Sequence, residues 1–300
     1  MLPTILGINS YAIAAALGFA SFILVFVLTL DLRLKINKRE VSNMIIVMIG
    51  AIGIGLFLAW FLDGLFKIPD NGGLRLWIND DNGFRLLGIT WYGMLIGGLG
   101  GLALLHLVLN KIFIKKKGKL LFETNKITYL SVAAPAMALA HFWGRIGCFL
   151  MGCCHGMVSN IGWVYPQRRH YRSDGSYFYA YPFGPHPRFP VQLVEAGVLL
   201  VIFAVLFSLL FIKNKKIERF AKAFNIYIYL AVYAVTRFIL EFFRGDLRGG
   251  LFAFMGLSPG QFVSICLFIF VSVMVVIEVV RGQRSKGEFH NSQCSQNLID

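Results

Sequence analysis

Residues 141–156 read HFWGRIGCFLMGCCHG and place one arginine, two histidines and three cysteines among apolar residues and glycines. Three chemistries fit such a stretch. Arg145 offers a planar guanidinium that matches a phosphate or carboxylate in two-point contact. Gly144, Gly147, Gly152 and Gly156 allow tight turns and close approach to a ligand, so a helix that breaks here could aim unpaired N–H groups at an anion. Cys153, Cys154 and His155, with Cys148 or His141, supply soft ligands for zinc or copper. The C-x4-C-C-H spacing is no standard zinc pattern, however, and adjacent ligands crowd one ion. A thiol-redox role lacks a C-x-x-C pair.

A second group lies in YAVTRFILEFFR, residues 233–244. Tyr233, Arg237, Glu241 and Arg244 recur at helical spacing and share one face. Their reading is either an Arg237–Glu241 ion pair or an anion site, and two arginines outnumber the one acid. In RFPVQLVE, residues 188–195, Pro190 suits a helix start. Gln192 and Glu195 fall in the first turns, where an acid favours the helix end and orients it. In WYGMLIGGLG, residues 91–100, the glycines permit close helix packing and Tyr92 sits near a span end as an interfacial anchor or a site residue.

These groups are embedded in hydrocarbon-like sequence. The 300 residues are 57% hydrophobic and 15% charged, with mean hydropathy +0.68, too little polar surface for a soluble domain of this length. Seven apolar spans are predicted, at 11–30, 43–62, 90–110, 127–147, 191–212, 224–243 and 261–280, each near the roughly 20 residues that cross a bilayer as a helix. Pro135, His141 and Arg145 make the fourth the weakest. The fold class is therefore an all-α integral membrane protein of seven transmembrane helices with an outward-facing loop or head. Residues 1–287 are expected to form one membrane domain, with 157–190 as a head insertion and 288–300 as a polar cytoplasmic tail.

Lys and Arg concentrate in 31–42, 111–126, 213–222 and the tail. Basic loops stay in the cytoplasm, so the N-terminus faces out and the C-terminus faces in. The net charge of +14 does not indicate nucleic acid, because the basic residues hug helix ends and suit an anionic inner leaflet. No cleavable signal is expected at the start; the first span reads as an anchor. The five cysteines make no disulfide framework, since three are local, Cys266 lies in a span and Cys294 in the tail.

The order G-R-I-G, P-x-Q-L-x-E, Y-x-x-x-R-F-x-x-E-F-x-R, on seven spans with a glycine-rich third span and a closing LSPGQFVS (257–264), resembles bacterial prolipoprotein diacylglyceryl transferases. The resemblance runs from about Tyr11 to the last span. It implies an inner-membrane enzyme that moves the diacylglyceryl group of phosphatidylglycerol onto the lipobox cysteine of a preprolipoprotein and releases glycerol phosphate. By the same resemblance Arg145 and Gly156 fill positions of the G-R-x-G signature, Tyr233, Arg237, Glu241 and Arg244 those of the sixth span, and Tyr11 the first-span tyrosine. We expect Arg145, Arg237 and Tyr92 to act on the reacting groups. Tyr11, Gly144, Cys148, Gly156, Gln192, Glu195, Tyr233, Glu241 and Arg244 are expected to bind substrate. No cofactor or metal is expected; the partners are phosphatidylglycerol, the lipobox peptide and membrane lipid.

The chain departs from the family pattern. Cys148, Met151 and Cys153 stand where the signature carries Asn, Asn and Glu. Tyr92 and Phe189 stand where the family often carries histidine, so a proton acceptor at those positions does not carry over. His141 and His155 lie nearby, and Tyr92 can hydrogen-bond instead. Alternatives from other classes are a non-catalytic or transport-type membrane protein that binds lipid or translocates an anion with the same arginines, and a metal or thiol-redox protein using Cys148, Cys153 and Cys154.

Overall fold

A computed structural model of the chain describes residues 4–5, 8–66, 77–80, 83–86, 91–166, 168–171, 177–180, 184–245 and 256–296. Seven long α-helices are described: α1 (Ser10–Leu28), α2 (Lys38–Phe66), α3 (Trp91–Lys117), α4 (Lys126–Met151), α5 (Val191–Phe211), α6 (Lys215–Glu241) and α7 (Pro259–Gln296). Each expected span lies on one of them. Six are long and apolar enough to cross a membrane. The exception by composition is α4, which carries Pro135, His141 and Arg145. The chain is thus a multi-pass, all-α membrane protein.

Several helices outrun the apolar spans. α3 continues through Lys115, Lys116 and Lys117, and α6 opens at Lys215. Their charged ends thus extend beyond the apolar stems. α7 continues to Gln296. Asparagines start three helices: the side chains of Asn9, Asn125 and Asn214 accept from Tyr11, Ile127 and Lys216 amides, which satisfies donors that the first turn leaves unpaired. A short π-helical turn, Thr29–Arg33, ends α1. There Arg33 donates to the carbonyls of Leu210 and Ile212 and pairs with Glu218 at 2.7 Å, tying α1 to the α5–α6 connection.

In hydrocarbon, helices gain little from apolar burial and associate through close packing. α2 and α3 show how. A Cβ on Gly93 would lie 2.3 Å from the Ala59 Cα, and one on Gly97 would lie 2.7 Å from the Gly55 Cα. The backbones approach to a distance that only missing side chains permit. One core cluster joins α1, α2 and α4 around Phe26, Met44, Met48, Tyr129 and Val132. A second joins α4, α5 and α6 around Ala134, Leu199, Leu206, Tyr229 and Tyr233. Apolar side chains such as Ile46, Phe57, Val201 and Phe270 point outward, as a lipid-facing surface requires.

Among the described residues outside the helices, the strands are short. β1 (Thr4–Ile5) pairs with β2 (Ile8–Asn9), and β3 (Trp77–Asp80) with β4 (Gly83–Leu86), both antiparallel. The expected head contains β5 (Val158–Trp163) and the hairpin β6 (Arg168–Tyr171) with β7 (Tyr177–Ala180), Arg169 opposite Tyr179. Residues 172–176 and 181–183 of that head lie outside the described residues, as do 67–76 and 246–255 of the other expected outer loops.

Because successive helices alternate in direction, the starts of α1, α3, α5 and α7 meet the ends of α2, α4 and α6 at one end of the bundle. Tyr11, Tyr92, Glu195, Arg145, Arg237 and Gly260 all belong to that end. The lysines of 115–117 and 213–216 belong to the other.

Candidate functional site

α4 does not break at Gly144–Gly147. It runs unbroken through them to Met151 and ends on Gly152, whose left-handed φ of 69° closes the helix. The expected source of unpaired N–H groups is therefore absent at 144–147, since a membrane helix tolerates glycine when its i to i−4 bonds persist. Arg145 instead projects its guanidinium from an intact helix.

That guanidinium meets Glu195. Nη2 of Arg145 lies 2.9 Å from Oε1 of Glu195, and Nη1 of Arg237 lies 3.5 Å from Oε2. One carboxylate from α5 thus receives two arginines, one from α4 and one from α6. Glu195 is fully buried, and the helix start at Pro190 has no side-chain cap. The expected capping role gives way to a buried ionic one. A charge this deep costs several kcal/mol unless paired, and the two guanidiniums supply the pairing.

The pair extends on both sides. Nε of Arg145 donates to Nε2 of His141 at 3.3 Å, and that nitrogen lies 3.9 Å from Glu195 Oε1. Tyr233 donates its hydroxyl to the same oxygen at 3.3 Å, and its ring stands edge-on to His141 with centroids 4.9 Å apart. On the other side Arg237 Nη2 binds Glu241 Oε2 at 2.6 Å, and Arg244 Nε lies 3.9 Å from that oxygen. The expected Arg237–Glu241 ion pair exists as one link of a longer chain. Among the described residues, three guanidiniums and two carboxylates are linked in this chain.

α7 closes the chain of contacts. Its start carries a reciprocal cap: the Ser258 amide donates to Gln261 Oε1 at 3.0 Å and the Gln261 amide to Ser258 Oγ at 3.1 Å. A Cβ on Gly260 would lie 2.9 Å from Glu241 Oε2, so the carboxylate rests on the first turn of α7, where the helix dipole favours an anion. Tyr92 donates to the Gly260 carbonyl at 3.0 Å and lies 3.2 Å from Ser264 Oγ. Its hydroxyl thus ties α3 to α7 behind the arginines.

The loop after α4 is fastened to the same end. Gln192 donates to the Cys153 carbonyl at 2.6 Å and to the Tyr165 hydroxyl at 2.9 Å. Tyr165 is buried, and burial pushes its phenol up from the ordinary value, keeping it protonated. The Gly156 amide donates to the Phe189 carbonyl, Met157 to Phe243 and Gly245 to His155, so three segments interlock. A Cβ on Gly156 would meet the Phe189 carbonyl oxygen at 2.3 Å. Gly156→Ala is expected to cost about 1–3 kcal/mol through overpacking, read as a lower unfolding midpoint in detergent.

The expected residues therefore separate by place. Arg145, Glu195, Tyr233, Arg237, Glu241 and Arg244 form one network, with Tyr92 joined through Gly260. Gln192, Cys148 and Gly156 hold the neighbouring loop. Tyr11 is about half exposed; a Cβ on Gly147 would lie 3.0 Å from its ring, so it flanks the turn of α4 that carries Arg145. Space is open where a Gly144 side chain would stand. His141 was named only as a possible metal ligand or substitute histidine, and Tyr165, Gly260, Ser264 and the Ser258–Gln261 cap were not among the expected site residues. Of these only the cap has a clear local signal, S-x-x-Q ahead of an apolar run.

A family model described as prolipoprotein diacylglyceryl transferase matches residues 2–277. A Clostridium tetani relative named phosphatidylglycerol–prolipoprotein diacylglyceryl transferase is 31% identical over 287 residues, covering 93% of this chain and 96% of its own. A Clostridium perfringens relative with that name and the number 2 is 32% identical over 203 residues, covering 67% of this chain and 66% of its own. A Campylobacter jejuni relative (strain 81-176) of the same name is 29% identical over 187 residues, or 61% of this chain and 55% of its own length.

Proposed function

Because the chain belongs to the prolipoprotein diacylglyceryl transferase family, we propose that it transfers the diacylglyceryl group of phosphatidylglycerol to the lipobox cysteine of a prolipoprotein. The observation that carries the reading is the convergence of Arg145 and Arg237, from separate helices, on one buried carboxylate.

In this reaction the acceptor sulfur bonds to an sp3 carbon of the lipid glycerol. The C–O bond to phosphate breaks, its electron pair leaves with the oxygen of glycerol phosphate, and the thiol proton passes to water. Charge grows on the departing phosphate as that bond lengthens, so fixed cations in a dry site act most strongly in the transition state. Arg145 and Arg237 present such cations, matched to phosphate in two-point contact. Glu195 holds them in place and is the anion a phosphate must share them with. A free thiol with a pKa near 8.5 already has a small thiolate fraction at neutral pH, and a positive site enlarges it. The acceptor therefore needs no strong base in place of the histidines that Tyr92 and Phe189 replace. No cofactor takes part.

The same reading places the chain in the bacterial inner membrane, N-terminus outside and C-terminus in the cytoplasm, with the arginine end facing out. Residues 1–287 then act as one membrane unit, 157–190 as its outer head and 288–300 as a cytoplasmic tail.

The test is mass spectrometry of a lipobox peptide incubated with the reconstituted protein and phosphatidylglycerol. The peptide should gain one diacylglyceryl group on its cysteine while glycerol phosphate appears in equal amount. A folded protein that binds phosphatidylglycerol but leaves the peptide unmodified would be a lipid-binding protein instead.

A further inference from the structure

The sulfur atoms of Cys148, Cys153 and Cys154 all lie within 4.8 Å of one another. Nothing in the proposed transfer uses them. Their convergence is built by the backbone: Cys148 occupies the last turns of α4, Gly152 reverses the chain at φ 69°, and Cys154 itself sits at φ 58°. A left-handed conformation is uncommon for a residue with a Cβ and persists where the surroundings impose it. Here it turns Cys154 back toward the helix end, so adjacent cysteines reach one point without crowding each other along an extended strand. The Cys153 sulfur also lies 3.6 Å from the Cys148 carbonyl.

We propose that Cys148, Cys153 and Cys154 form a three-thiolate site for a zinc ion, which staples the loop after α4 to that helix. Zinc–sulfur bonds of about 2.3 Å in tetrahedral or trigonal array put sulfurs about 4 Å apart, a spacing this cluster reaches with small adjustments. Three thiolates around one zinc carry one net negative charge, and Arg145 lies one helical turn before Cys148 on α4. A nearby guanidinium that would repel a bare cation favours the anionic thiolate complex. Among the described residues no further Cys, His, Asp or Glu joins the three, and Cys153 is exposed, so water completes the fourth position. The loop so fixed is the one that Gln192 grips through the Cys153 carbonyl.

The full chain, without a histidine tag, is reconstituted in phosphatidylcholine nanodiscs, dialysed against zinc and then metal-free buffer, and measured by elemental mass spectrometry. About one zinc per chain is expected, falling to less than about a tenth in Cys148→Ser/Cys153→Ser/Cys154→Ser and unchanged in Cys266→Ser. Because the triple variant could misfold, cobalt(II) is also titrated into the unsubstituted protein. A sulfur-to-cobalt charge-transfer band that saturates near one equivalent and is bleached by zinc supports the site. Zinc that survives the triple substitution, absence of the cobalt band, or a zinc-free protein with two of the three sulfurs in a disulfide would each overturn it. None of these readouts depends on lipid transfer, so the metal site and the proposed reaction stand or fall separately.

Discussion

Replacing Arg145 or Arg237 by glutamine is expected to lower the rate of lipid transfer by about 10²–10³-fold, the scale on which one preorganised donor to a developing oxyanion acts. Each guanidinium is shared with Glu195, so a single replacement leaves the carboxylate one partner and the bundle folded. Lysine at either position keeps the charge but loses the planar fork, and should restore only part of the rate. The checks are initial rates of peptide lipidation, with size-exclusion profiles to establish folding. Near-normal rates in both folded glutamine variants would remove the pair from the mechanism.

Glu195→Gln is expected to have the largest effect on stability. It leaves the shape of the site intact but strips the carboxylate from two buried guanidiniums, those of Arg145 and Arg237. Breaking a buried ionic arrangement by removing one partner costs about 3–5 kcal/mol. Thermal unfolding in a neutral detergent should show the loss. An anion that occupies the vacated position binds the folded state only and recovers stability by mass action. Added phosphatidylglycerol should therefore raise the midpoint of the variant more than that of the unsubstituted chain, and phosphatidylcholine should not. Equal midpoints for variant and parent would mean that Glu195 does not hold the arginines.

Hydropathy made the seven spans legible, because a run of about 20 apolar residues has few other uses. It placed the helix ends less well. α2 begins at Lys38 and α6 at Lys215, several residues before the apolar runs, since a helix continues into the headgroups where hydropathy no longer marks it. The glycines of G-R-I-G suggested a broken helix, whereas their intrahelical bonds persist and only Gly152 reverses the chain.

The site was partly legible. Tyr233, Arg237, Glu241 and Arg244 follow one helical face, a local pattern that spacing reveals. Glu195 was harder: five residues after a helix-start proline, it reads as an orienting acid, and only the packing of α4, α5 and α6 turns it into the shared partner of two arginines. Gly260 is silent in the sequence because its contribution is the absence of a side chain against Glu241. The meeting of Cys148 with Cys153 and Cys154 depends on two left-handed residues, and no linear spacing rule contains them.

α7 is the least enclosed of the candidate spans, with 11% of its window buried against 50% for α6, yet its first turn receives Glu241 and the Tyr92 hydroxyl. This has a consequence for biosynthesis. Arg145, Glu195, Arg237 and Glu241 are synthesised in that order, and the segment against which the last of them rests is made after all four. A nascent chain halted before residue 258 would hold the acid and its arginines but no helix start beneath them. The contacts of Glu241 with the start of α7 are therefore completed only after the final span is made, and a protein shortened from its C-terminal side loses that support before it loses any charged member of the network.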